Sequence, residues 1–199
     1  MSKTLLKTTI ISLSLVLLSA CGGPSSGPSV SNDDLERRAD GLAYQIGEDQ
    51  PFTGEVVNYW PNGNEEFRVQ MKDGKEDGAN WYYFENGQEQ RYEEVTAGQR
   101  DGVWKHWNEE GILIKETHFK DGQLHGTDTS WYPDGTKKSE SSYENGAREG
   151  MQQIWHSDGT LSQQSEYKNG KRNGLFVKWD EQGNQTASQQ YEDGAVVNP

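Results

Sequence analysis

Glycine falls on a lattice in this chain, with a period of 24 residues. Gly54, Gly78, Gly102, Gly126, Gly150 and Gly174 form one series. A second runs from Gly63 to Gly183 and a third from Gly74 to Gly194, and every glycine after Gly47 belongs to one of the three. A fixed period of this length marks a repeat architecture, in which one supersecondary unit recurs and buries its apolar surface against its neighbours. Six copies fill residues 51–199.

With the first glycine of each copy at position 0, the others stand at +9 and +20. Asn or Asp precedes the +9 or +20 glycine in nine of twelve cases. Such pairs between extended runs signal hairpin turns, because both residues tolerate positive φ. Pro61-Asn62-Gly63 and Pro133-Asp134-Gly135 fit a type I turn closed by a left-handed glycine, a three-residue loop. Each copy reads as strand, turn, strand, turn, and glycine or proline interrupts every helical window. The fold class is all-β: an elongated, single-layer antiparallel β-meander of six 24-residue β-hairpin repeats. It has about twelve strands and is roughly 55 Å long at ~4.8 Å per strand. Ordering one copy costs on the order of 36 kcal/mol, so no single hairpin stands alone.

Large rings recur at two positions. Position +5 carries Tyr59, Tyr83, Trp107, Trp131, Trp155 and Trp179, a structural aromatic ladder; +17 carries Met71, Val95, Phe119, Tyr143, Tyr167 and Tyr191. A three-residue loop pairs +6 with +10, which places all odd positions on one face. On that parity +17 meets +1 of the following copy, as Met71 with Ala79, Val95 with Val103, Tyr143 with Met151 and Tyr167 with Leu175. The remaining rings, Trp60, Tyr82, Phe84, Tyr92, Trp104, Tyr132 and Phe176, belong to an even face and do not recur. The repeat itself does not require them. They are candidate partner-binding residues, since exposed aromatics mark binding sites; packing under the sheet twist is the competing explanation.

The N-terminus reads as an address. Lys3 and Lys7 precede an apolar run, Ile10 to Leu18, that is too short to span a bilayer and has the form of a signal-peptide core. It ends in Leu18-Ser19-Ala20-Cys21, which resembles a bacterial lipobox. That resemblance implies cleavage of residues 1–20 and lipidation of Cys21, hence a membrane partner through the anchor. Gly22 follows the cysteine, and resemblance to lipoprotein sorting favours the outer membrane. Residues 21–34 read as the lipidated cysteine and a tether, with Gly, Pro and Ser filling all but one position of 22–31. Residues 35–50 form an entry segment, and Leu42 to Ile46 is expected to add a capping strand.

The pattern of Gly, a strand ending in Trp or Tyr, Asn-Gly, a strand ending in Tyr, and Asn/Asp-Gly-Lys resembles the MORN-repeat variant. Trp155-His156-Ser157-Asp158-Gly159 and Tyr167-Lys168-Asn169-Gly170-Lys171 carry it. The stretch Ala43-Tyr44 through Pro51-Phe52-Thr53-Gly54 is similar to the entry segment of the YwqK-type antitoxin family. The resemblance covers about residues 42–194. It implies β-hairpin repeats and an interaction role, and brings no catalytic residues.

Chemistry is sparse elsewhere. Formal charge is −13, and −15 without residues 1–20, which repels nucleic-acid backbones and anionic lipid. No nucleic-acid partner is expected. Cys21 is the sole cysteine, so no disulfide forms within the chain. His106, His118, His125 and His156 lack metal-ligand spacing, and one Asp or Asn per turn is too few for a calcium loop. No metal, cofactor or catalytic residue is expected, and no enzyme. Two readings stay open. One is a lipid-anchored scaffold of the cell envelope that binds a protein. The other is a cell-wall glycan binder, because Trp81-Tyr82-Tyr83 is similar to the aromatic clusters of choline- and wall-binding repeats.

Overall fold

The computed structural model describes residues 27–197. The signal peptide, Cys21 and the first part of the tether lie outside the described residues. Within them the chain is almost wholly strand, with a single 3-10 turn at Asn32–Asp34. Strands follow one another in sequence order through one antiparallel meander. Hairpins pair Gly54–Tyr59 with Glu65–Lys72, Gly78–Tyr83 with Glu89–Thr96, and so on to Gly174–Trp179 with Gln185–Glu192.

Both turns have the geometry their residues call for. At the first, Tyr132 N–H donates to Thr136 O at 2.8 Å and the Asp134 carboxylate accepts from Thr136 N–H at 2.9 Å, closing a three-residue loop. At the second, Asn145 and Gly146 both take positive φ (+49° and +80°), the type I′ turn of a two-residue hairpin. Turns of successive copies are stitched together: Gly146 N–H donates to Leu124 O and Gly170 N–H to Arg148 O, at 2.8 and 2.9 Å.

The expected parity is wrong, and a bulge is the reason. Next to the loop +5 faces +11, as Trp131 faces Lys137, but the next pair is +4 with +13, as Ser130 faces Ser139. Position +12 is left over, and all six copies repeat the shift. One extra residue moves the rest of the strand to the opposite face. Position +17 therefore stands opposite 0 of its own copy, as Tyr167 opposite Gly150. It shares a face with +2 and +4, and +5 lies on the other side. The predicted contacts of +17 with +1 of the next copy do not form. Instead +17 faces −2 of that copy: Val95 with Arg100, Phe119 with Leu124, Tyr143 with Arg148, Tyr167 with Arg172.

The entry segment adds a partial second layer. Strand β1 (Ser29–Val30) pairs in parallel with the first repeat strand, at Glu55 and Val56. The sequence places these residues in the tether; backbone pairing at the sheet edge orders them. Strands β2 (Leu35–Arg37) and β3 (Ala43–Gln45) form a separate antiparallel pair. The expected capping strand within Leu42 to Ile46 thus exists as β3, but it covers a sheet face rather than extending the edge. Ala43 and Phe52 pack with Val56, Val69 and Met71, and Val30, Leu35, Phe67 and Tyr82 close around them. This is where the apolar core sits, on the +17 face of the first copy.

Candidate functional site

The seven candidate partner-binding rings do not share a face. Trp60, Phe84 and Tyr132, at +6, sit at the first turn. Two of these side chains reach the next copy: Trp60 Nε1 donates to Tyr83 O at 3.2 Å and Tyr132 Oη to Trp155 O at 2.9 Å. His156 makes the same contact with Trp179 O at 3.1 Å. Tyr92, at +14, lies on the +5 face, its ring centroid 4.4 Å from that of Trp81, and its hydroxyl donates to Glu94 at 2.7 Å. Burial and that carboxylate push the phenol up to about 12. Only Tyr82, Trp104 and Phe176 reach the +17 face. All seven are half-buried.

The +5 rings stand apart from one another. Successive +5 residues are two strands apart, roughly 10 Å, and +11 side chains such as Leu113 and Lys137 lie between them. Among the described residues the ring pairs are Phe67–Tyr82, Trp81–Tyr92, Trp104–Phe119 and Phe176–Tyr191, none of them between two +5 residues. Tyr59 is 59% exposed and the other five are half-buried.

A pocket of about 340 Å3 opens between the entry segment and the +17 face. Leu35, Ala43, Val56, Val69, Met71 and Tyr82 supply apolar wall, and Glu36, Arg37 and Glu76 its charge. Beside it the Arg91 guanidinium lies 3.8 Å over the Tyr82 ring, and Arg91 Nε is 2.7 Å from a carboxylate oxygen of Glu93. Glu93 is buried, which lifts its carboxyl above the ordinary glutamate range, while Arg91 pulls it partly back. Asn80, wholly buried next to it, is satisfied on both sides: its side-chain oxygen accepts from Gln70 N–H and its amide donates to Glu76.

Farther along the same face lies a feature that the sequence reading misses. Arg148 Nε donates to Tyr143 Oη at 3.2 Å, and its guanidinium carbon is 5.4 Å from the Tyr167 ring. Arg172 repeats this one copy later, 3.4 Å from Tyr167 Oη, 4.7 Å from the Phe176 ring and 5.4 Å from the Tyr191 ring. Arg100 lies 4.2 Å over Trp104 and 5.2 Å from Phe119. Arginine two residues before the glycine at 0, in three copies, is the available signal. With +17 assigned to the wrong face, those arginines have no visible neighbour.

Among the described residues no group of three or more His, Cys, Asp and Glu side chains is placed to hold a metal ion. No helix among them is long and apolar enough to cross a membrane. No curated protein matches the chain. Three consecutive stretches, residues 100–121, 124–145 and 148–169, match the MORN repeat variant, each running from −2 to +19 of one copy.

Proposed function

We propose that this protein is a non-catalytic, lipid-anchored scaffold of the bacterial cell envelope, with the outer membrane favoured, that presents its repeat sheet to a partner. The match to the MORN repeat variant supports a repeat-built binding or scaffold protein. One structural observation carries the reading: the entry segment covers the +17 face over the first copy and the start of the second, and the sheet continues for four more copies. Copies that serve only to complete a core would end with it. His156 and Asn80 are engaged in holding the sheet. The lipobox-like Leu18-Ser19-Ala20-Cys21 supports the anchor. Any relation to YwqK-type antitoxin activity is part of the proposal and rests on sequence resemblance alone.

Fatty-acid labelling in cells tests the anchor. Label should enter the full chain and vanish in Cys21→Ser, with the variant leaving the membrane fraction. Photo-cross-linking from the +17 face, at Gln152 or Gln163, tests the scaffold. Discrete cross-linked products support it; their absence, together with failure to sediment with purified sacculi, overturns it.

A further inference from the structure

One row of the +17 face changes character along the chain. Under and beside the entry segment it reads Met71, Glu76, Val95; in the last copies it reads Tyr143, Arg148, Tyr167, Arg172, Tyr191. From copy three onward this face carries five cations, Arg100, Lys115, Arg148, Arg172 and Lys178, against one anion, Asp128. Lys115 is paired with Asp128 at 3.2 Å. Among the described residues the three arginines have no carboxylate partner, in a chain whose acids outnumber its bases by 13.

The geometry points to this uncovered strip as a binding site for a carboxylate-bearing glycan strand, an inference that rests on the scaffold reading above. Arg148 and Arg172 stand two strands apart, roughly 10 Å, in a straight cross-strand row. Each is oriented by a tyrosine hydroxyl on its Nε side, and Arg172 also donates from Nη1 to Tyr191 Oη at 3.5 Å, which leaves both terminal nitrogens of Arg148 and the Nη2 of Arg172 for an incoming carboxylate. Between them in the row stands Tyr167, and alongside run the half-buried Gln152 and Gln163, whose amides exchange hydrogen bonds with hydroxyl groups. A protein partner would want apolar anchor pockets at its centre, and the ring at the centre of this row, Tyr167, is itself buried. The acidic remainder of the molecule repels the same polymer at long range. That repulsion is screened beyond about 8 Å at physiological salt, whereas the contacts at the arginines are direct.

The experiment uses the full chain in mild detergent, run in native gels cast with alginate, a uronate polymer, or with neutral dextran. Alginate should retard the protein and dextran should not. Arg148→Gln with Arg172→Gln should weaken the apparent affinity for alginate at least about tenfold. The same charge loss on the other face, Lys120→Gln with Lys168→Gln, should leave it unchanged. Both lysines are exposed. No retardation, equal loss in the lysine control, or stronger arginine-dependent binding to phosphatidylglycerol vesicles each overturns the inference, the last by assigning the strip to lipid headgroups. If the glutamine variant fails to fold, Arg148→Lys with Arg172→Lys takes its place. Weakening of about threefold or more then supports the fork, and wild-type retention overturns it. Protein cross-links in cells combined with no alginate retardation would remove this inference and leave the scaffold reading standing.

Discussion

Glu94 closes over Gly102. Its Oε2 accepts the N–H of Val103 at 2.6 Å, and its Oε1 accepts the Tyr92 hydroxyl at 2.7 Å. The register explains why. Glu93 faces Trp104 and Val95 faces Arg100, so three residues, 101 to 103, bulge opposite Glu94 alone. The carboxylate fills the space a side chain at 102 would need, and Gly102 holds φ at +109°. Gly150 occupies the same position with φ +83°, but its nearest neighbour is Ser142 Cβ at 4.0 Å. Gly102→Ala should cost about 2–4 kcal/mol, from backbone strain plus displacement of Glu94. Gly150→Ala should cost only the strain, about 1–2 kcal/mol. Urea melts of the two variants test this, and equal losses would refute the close approach.

Ala97 shows the opposite situation. It holds φ at +50° in the second turn, where the other five copies place Asp or Asn. Alanine is strained there, while asparagine tolerates the left-handed region. Ala97 N–H already donates to Asp77 at 3.1 Å, a bond that needs only the backbone. Ala97→Asn should therefore raise stability by about 0.5–1 kcal/mol. A melting temperature that fails to rise would mean the turn is not type I′ in solution.

These two positions mark what the sequence can and cannot disclose. The turns are legible because Asn-Gly and Asp-Gly carry their backbone requirement in their side chains. The bulge at +12 is not. Its occupants are Glu66, Gln90, Ile114, Lys138, Ser162 and Thr186, and a bulged residue with ordinary φ needs no particular type. One unsignalled residue reverses the parity of half of every repeat, so the sequence sets Tyr167 beside Leu175 when it packs against Arg172. The glycine at 0 is visible as a regularity, but its cause is the positive φ of the backbone there and, at Gly102 and Gly174, a glutamate from the neighbouring strand that fills the place of a side chain.

Glu93 predicts a pH signature. It is 6% exposed, and burial raises its carboxyl above the ordinary 4.5, against the weaker opposing pull of Arg91. The folded state then holds this proton to higher pH than the unfolded state does. Its contribution is most favourable below the unfolded value and declines as pH rises through the folded one. Glu93→Gln removes the term. Relative to wild type, the variant should gain stability as pH is raised from about 4 to about 7. Urea midpoints across that range check the sign, and a difference independent of pH would contradict it.

The +5 rings should differ in weight along the sheet. Tyr59 is 59% exposed, and Trp131 is half-buried between the side chains of adjoining strands. Tyr59→Ala should change stability by no more than about 0.5 kcal/mol. Trp131→Ala should cost about 2–3 kcal/mol, less than a fully buried tryptophan because part of its surface is already wet. Matching losses would restore the picture of a uniform ladder.

Tyr132 separates a structural from a binding role for the rings that do not recur. Its hydroxyl donates to Trp155 O at 2.9 Å, a bond from one copy to the next that Trp60 and His156 make with other chemistry. The shared contact accounts for three unlike residues at +6; Phe84 carries no donor, and Asn108 and Asp180 accept from backbone N–H groups of their own loops instead. Tyr132→Phe keeps the ring beside Lys138 and removes only the donor. It should cost about 0.5–1.5 kcal/mol, with an unsatisfied carbonyl as the reason. His156→Phe should cost a similar amount, since it breaks the same bond one copy later. If instead Tyr132→Phe melts like wild type and loses cross-links to a partner, the ring faces outward in function and the stitch is incidental.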